Sequence, residues 1–256
     1  MARRSRTSSL PAPYLKRIWL EESGVGDRSK YPFSLPFLRG GFEMTFDTAV
    51  TIIVGENGIG KSTLLEGIAA VIGFDEAGGG VGYRPVDHSR AIEVMGSSLG
   101  AGLRGAWLPK VTAGWFFRAE SFFTVARYLD EAAREPLSGP PPDFLSHSHG
   151  EGFLRFFLER CDRQGIYIFD EPESALSPSR QVEFLRLLNR MDGSRHCQVI
   201  MATHSPILMA YPGARLLRMT DQGFQFADVE DTDHFRLMRE FCDDPRGFMS
   251  KRLGAK

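Results

Sequence analysis

A chain of 256 residues, 42% hydrophobic and 25% charged, has room for one large α/β domain and the balance of a globular protein, which sets aside a disordered or membrane-embedded chain. Its formal net charge of -1 removes the long-range attraction of a strongly basic domain for nucleic acid, so such a partner must be argued from a local patch. No stretch has the apolar length of a bilayer span, and the start Met1-Ala2-Arg3-Arg4-Ser5-Arg6 runs into Thr and Ser rather than a signal core, so a cytoplasmic chain without membrane insertion is expected.

Residues 1–13 are basic and Ser-rich and close on Pro11 and Pro13, the composition of a flexible arm, leaving 14–256 as a single domain. Residues 14–20 alternate as a strand, and 41–46 alternate again as its hairpin partner. Residues 50–54 form an apolar run short enough for a buried strand. That strand feeds a glycine loop, and 62–72 favour a helix ending near Gly73. Residues 77–105 are Gly-rich with few periodic apolar positions, which predicts loops and short strands, whereas 121–135 have helical spacing. After Pro140-Pro141-Pro142, residues 152–163 read as a helix burying Phe153, Phe156, Phe157 and Leu154, so a small helical lobe is expected over about 106–163. Residues 166–169 are a second buried strand, 180–191 an amphipathic helix, 198–202 a third strand, and 214–219 with 223–226 a closing hairpin. Strands alternating with helices imply an α/β fold whose mostly parallel sheet has helices on its faces. Cys161, Cys197 and Cys242 are odd in number and lack metal spacing, which suits reduced thiols.

Between strand and helix lies Gly55-Glu56-Asn57-Gly58-Ile59-Gly60-Lys61-Ser62-Thr63, which satisfies G-x-x-x-x-G-K-[ST] in the context that gives the pattern meaning. Its glycines let successive backbone N–H groups turn toward phosphates, with the positive end of the following helix behind them. Lys61 is placed for the β- and γ-phosphates and the Ser62 hydroxyl for Mg²⁺. A parallel strand delivers ligand contacts at its carboxyl end, and 166–169 end in Asp170-Glu171-Pro172-Glu173. Asp170 is expected to hold Mg²⁺ and Glu171 to polarise a water for in-line attack; Glu173 stays ambiguous.

Together with Ser174-Ala175-Leu176-Ser177 and Ala202-Thr203-His204-Ser205-Pro206, these motifs resemble, over about residues 14–226, the ordered motifs of ABC-type ATPases of the P-loop class. The resemblance is to standalone members near the chromosome-maintenance and DNA-repair branch. It implies an ATP- and Mg²⁺-dependent hydrolase with an antiparallel β subdomain and a helical lobe beside the parallel sheet. By that resemblance His204 is the switch histidine on the γ-phosphate, and 174–177 meet a second subunit. Ser148 and Gly150, in Ser148-His149-Gly150-Glu151, stand for the signature that binds the partner's nucleotide, so ATP would drive homodimerisation. His149 departs from the family's first glycine, and a plain helix cap is the alternative. Glu120 falls where the family often has a Gln near the metal, with an Arg118–Glu120 surface pair as the other reading. Only about ninety residues separate Ser62 from the signature, without heptads, so a head without coiled-coil arms is expected. It would switch a protein or nucleic-acid partner. The alternatives are the nucleotide-binding subunit of a membrane transporter and a sensor that hydrolyses little. Adenine is favoured over guanine because the guanine motif is missing; Tyr14, Arg17 and Tyr83 are candidates for holding it.

Overall fold

A computed structural model describes residues 9–76, 78–80, 96–118, 152, 154, 157, 158, 161 and 163–254. Among the described residues, nine strands run in the order β1 (Leu15–Leu20), β2 (Glu43–Thr45), β3 (Val50–Val54), β4 (Leu103–Trp107), β5 (Gly114–Arg118), β6 (Gly165–Asp170), β7 (Cys197–Ala202), β8 (Ala214–Thr220) and β9 (Gly223–Phe226). The α-helices are α1 (Lys61–Ile72), α2 (Gly96–Gly102), α3 (Pro178–Ser194), α4 (Pro206–Met209), α5 (Asp233–Asp243) and α6 (Pro245–Leu253).

The main sheet has the order β5-β6-β7-β3-β8-β9, parallel except for β9, and a separate antiparallel sheet has the order β2-β1-β4. Period-two alternation splits the apolar strands between two cores. Ile53, Ile168, Ile200 and Leu217 face α1 and the antiparallel sheet, packing on Leu64, Leu65 and Ile68. Ile52, Phe169, Met201 and Leu216 face α3, packing on Phe184, Leu187 and Leu188. Each such side chain, fully buried, contributes roughly 1.5–3 kcal/mol. Gln198 is wholly buried and ties the two sheets together. Its Oε1 accepts from Tyr14 N at 2.8 Å and Leu15 N at 2.9 Å, and its Nε2 donates to Leu15 O at 2.9 Å.

The parallel α/β sheet and antiparallel subdomain are those expected, but the stretch 77–105 contains the helix α2 rather than loops and strands alone. Its sequence Gly-Ser-Ser-Leu-Gly-Ala-Gly has poor helix propensity, and close packing on α1 supplies the compensation. A Cβ on Gly100 would lie 2.4 Å from Ala70 Cβ, and one on Gly67 3.1 Å from Leu99 Cγ. Within the span expected for the helical lobe, residues 106–107 belong to β4 and 114–118 to β5, which joins the main sheet beside β6, while 119–151 lie outside the described residues. The ring of Phe117 stacks on Phe169 with centroids 4.9 Å apart, so β5 is fixed by aromatic packing its neighbours supply. Leu154 and Phe157 are buried as expected; Phe153 and Phe156 lie outside the described residues, as does 1–8 of the arm. The helices α5 and α6, absent from the sequence reading, are capped by Thr232 and Asp244, whose side chains accept from Phe235 N and Gly247 N.

Candidate functional site

The carboxyl ends of β5, β6, β7 and β3 converge, and the parallel register sets Arg118 beside Asp170 and Asp170 beside Ala202. The loop after β3 turns through Gly58 (φ 78°) and Gly60 (φ 105°), left-handed conformations that L side chains resist. Glu56, Asn57 and Gly58 form its exposed tip, while Gly55, Ile59 and Gly60 are half-buried. Gly60 is the N-cap of α1, so the free N–H groups of the first turn open into the concave side of the loop. Lys61 folds back under the loop, its Nζ donating to Gly55 O at 3.0 Å and Glu56 O at 2.9 Å. Burial lowers its ammonium from the ordinary value against the pull of Glu171, Asp170 and Glu173. Thr63 is buried and shares a hydrogen bond with the Tyr31 hydroxyl.

Ser62 Oγ donates to Asp170 Oδ1 at 3.1 Å. Asp170 is 6% exposed, and burial pushes its carboxyl up to about 6 despite Arg118 and the Ser62 hydrogen bond. The Glu120 of the expected Arg118–Glu120 pair lies outside the described residues, and Arg118 is half-buried. Its Nη1 meets Glu66 Oε1 at 2.6 Å and its Nε lies 3.7 Å from Asp170 Oδ2. Nearby, burial and the charges of Glu66 and Asp75 push Glu76 up to about 7. A hydroxyl and a carboxylate, hard oxygen donors in contact and short of positive charge, fit one side of a Mg²⁺ ion. Among the described residues no three His, Cys, Asp or Glu side chains could hold a metal by themselves, so phosphate oxygens and water would complete its shell.

Glu171 takes φ 48°, ψ 55° directly after β6, a left-handed backbone that costs a non-glycine residue of order 1 kcal/mol and recurs at functional sites. Its N–H donates to Ala202 O at 3.0 Å, which anchors the turn and leaves the carboxylate facing β7. There Glu171 Oε1 stands 3.4 Å from His204 Nε2. Glu173 explains how that histidine is held: its carboxylate accepts from His204 N at 2.5 Å and Thr203 Oγ1 at 2.8 Å. His204 Nδ1 and His234 Nε2 are 2.8 Å apart, while His204 Nε2 is buried with no hydrogen-bond partner among the described residues. Burial and the Lys61 charge lower the His204 imidazole from its ordinary value, partly offset by Glu171.

Gly55 to Thr63, Asp170, Glu171 and His204 are thus brought together. Ser148, Gly150 and Glu120 lie outside the described residues, as does Tyr83. Of the remaining adenine candidates, Tyr14 is wholly buried and Arg17 lies over Trp19, 4.7 Å from the ring centroid. Sequence reasoning missed Glu66 and His234, which belong to no motif and become neighbours of the site only through packing. Among the described residues no helix is long and apolar enough to cross a membrane.

Residues 122–210 match a family described as "AAA domain, putative AbiEii toxin, Type IV TA system", and 34–90 match a family described as "AAA domain". The chain is 34% identical over 93 residues to an OLD nuclease of Thermus scotoductus, covering 36% of this chain and 14% of that protein. It is 28% identical over 171 residues to the zinc import ATP-binding protein ZnuC of Haemophilus ducreyi, covering 62% of this chain and 58% of that protein. The chain therefore spans less than two thirds of the length of either relative. A solved SMC head domain from Thermotoga maritima aligns at a TM-score of 0.46 and 19% identity, covering 85% of this chain and 100% of that one.

Proposed function

We infer that this chain, a P-loop ATPase domain of the ABC type, binds ATP with Mg²⁺ on Gly55 to Thr63 and hydrolyses it to ADP and phosphate. The observation that carries the reading is the convergence of Lys61, Ser62, Asp170, Glu171 and His204 at the carboxyl ends of parallel strands. On this reading the loop amides and Lys61 cradle the phosphates, and Lys61 exchanges its two carbonyl partners for β- and γ-phosphate oxygens. Ser62 and Asp170 would hold Mg²⁺, which would supply positive charge to offset that of the phosphates. Glu171 accepts the proton of the attacking water, and the orphaned His204 Nε2 donates to a γ-phosphate oxygen.

The finer reading is a homodimer in which Ser148 and Gly150 of one chain face the phosphates held by the other, with Glu120 near the metal. Closure on ATP and opening after hydrolysis would then switch a protein or nucleic-acid partner. Likeness to ZnuC over 171 residues supports a second reading, the ATP-binding subunit of a transporter, which copurification with a membrane permease would favour. The experiment for the ATPase reading is calorimetric titration of Mg·ATP. Wild type should bind, and Lys61→Ala should lose tight binding because the cation on the phosphates is gone. Equal affinity in the two proteins would remove the basis of the assignment. For the composite site, a Ser148→Arg chain mixed with a Lys61→Ala chain should regain ATPase activity that neither has alone.

A further inference from the structure

The histidine beside the candidate γ-phosphate position is itself held by a second histidine from outside the parallel-sheet body. His234 is the second residue of α5, beyond the closing hairpin β8–β9, and the buried Thr232 caps that helix through Phe235 N. Its Nε2 lies 2.8 Å from His204 Nδ1, with the rings tilted at 52° and their centroids 4.8 Å apart. The backbone of His204 is fixed separately by Glu173, so the ring rotation and proton placement are what the second histidine can set.

Which nitrogen carries the proton follows from the surroundings. His204 Nε2 is shielded from water and its nearest acidic neighbour is Glu171 Oε1 at 3.4 Å, not aligned as a hydrogen bond. A bare lone pair there would face an anionic oxygen, and later a phosphate oxygen, with no compensation, so Nε2 must carry hydrogen. A doubly protonated ring is opposed by burial and by the nearby Lys61 ammonium. Nδ1 is then an acceptor, and among the described residues its hydrogen bond comes from His234 Nε2. His234 in turn is kept neutral by burial and Lys61, acting against Asp233 and Glu56, so it carries one proton and places it between the rings.

We propose that His234 is a positioning residue: its Nε2–H, donated to His204 Nδ1, locks His204 in the Nε2–H tautomer and aims that N–H at the γ-phosphate. The inference rests on the ATPase reading for its catalytic consequence but not for the tautomer. By this arrangement α5 contributes to the chemistry, and displacing the helix would release the His204 ring.

The test uses the full chain and two readouts. Two-bond proton–nitrogen correlations on ¹⁵N-histidine protein without nucleotide report the tautomer, and six histidines are few enough to assign by substitution. Wild-type His204 should be protonated at Nε2 only, and His234→Leu should lose that fixed pattern. In ATP turnover, His234→Leu should lower kcat roughly 10- to 100-fold with KM within about twofold. His234→Gln, whose amide N–H falls near the Nε2 position, should recover most of the loss. If the Leu variant does not fold, His234→Asn, too short to reach, replaces it. The proposal is overturned if wild-type His204 is protonated at Nδ1, or if a variant without the donor keeps both tautomer and kcat. Failure of the wild type to hydrolyse ATP would sink the ATPase reading instead, and the tautomer measurement would still decide the histidine pair.

Discussion

Ser62 Oγ and Asp170 Oδ1 stand 3.1 Å apart although 108 positions separate them in the chain. The first turn of α1 supplies one and the last residue of β6 the other, so the contact exists because β3 and β6 flank β7 in parallel. Asp170 there is buried, which disfavours its charged form more than Arg118 and Ser62 favour it. Its folded-state carboxyl is raised to about 6 from 3.8, so the folded protein holds the proton more tightly than the unfolded chain. The resulting stability is present below about 4 and lost as pH rises through about 6. Asp170→Asn should therefore stabilise the nucleotide-free protein at pH 8 by roughly 1–3 kcal/mol while abolishing Mg²⁺-dependent ATP turnover. Urea unfolding and an ATPase assay check both halves, and a destabilised variant would contradict the first.

Arg118 is the cation that keeps this cluster from being worse. Arg118→Met removes a cationic neighbour of Glu66 and Asp170, withdrawing positive charge from beside the buried Asp170 carboxylate. A loss of about 3 kcal/mol at pH 8 is expected, shrinking as pH falls below about 6 and Asp170 takes its proton. A pH-independent loss would mean that packing dominates.

Gly60→Ala should weaken Mg·ATP binding by roughly tenfold or more. Its φ is 105°, and an added Cβ would approach Phe37 Cε1 at 3.0 Å and Leu35 Cδ1 at 3.1 Å, so the loop must shift. Gly73→Ala is the control, since its φ is 96° with nothing within 4 Å of the new Cβ. It should cost stability by the same backbone strain and leave ATP affinity unchanged, as titration calorimetry would show.

Gln198→Leu should destabilise the fold by about 2–4 kcal/mol, because Tyr14 N, Leu15 N and Leu15 O lose their shared partner between the sheets. The midpoint of urea unfolding should fall. ATP affinity of the folded variant should be unchanged, because Gln198 sits at the opposite end of β7 from His204.

What was legible in the sequence is local in origin. β3, the glycine loop and α1 form one continuous segment, and β6 and β7 are apolar runs whose ends announce Asp170, Glu171 and His204. The helix α2 was not legible, since Gly96–Gly102 becomes helical by packing on Gly67 and Ala70 rather than by propensity. β5 was hidden for a related reason: its aromatic residues mark a strand only once Phe169 and Phe157 are beside them. Glu173 could not be assigned because its role is set by the main chain of His204, 31 positions away. His234 carried no signal at all, since its meaning comes from the tertiary contact of α5 with the loop after β7.

Glu171 is the residue on which hydrolysis depends most, and the decisive measurement is single-turnover ATP hydrolysis by Glu171→Gln beside the wild type, with ATP binding measured on the same preparations. The substitution keeps the side chain's shape and its place beside His204 but removes the proton acceptor. ATP should bind the variant as tightly as wild type, and the hydrolysis step should slow by roughly 10²-fold or more. Wild-type rates in a variant that binds ATP normally would contradict the account and take the base away from Glu171.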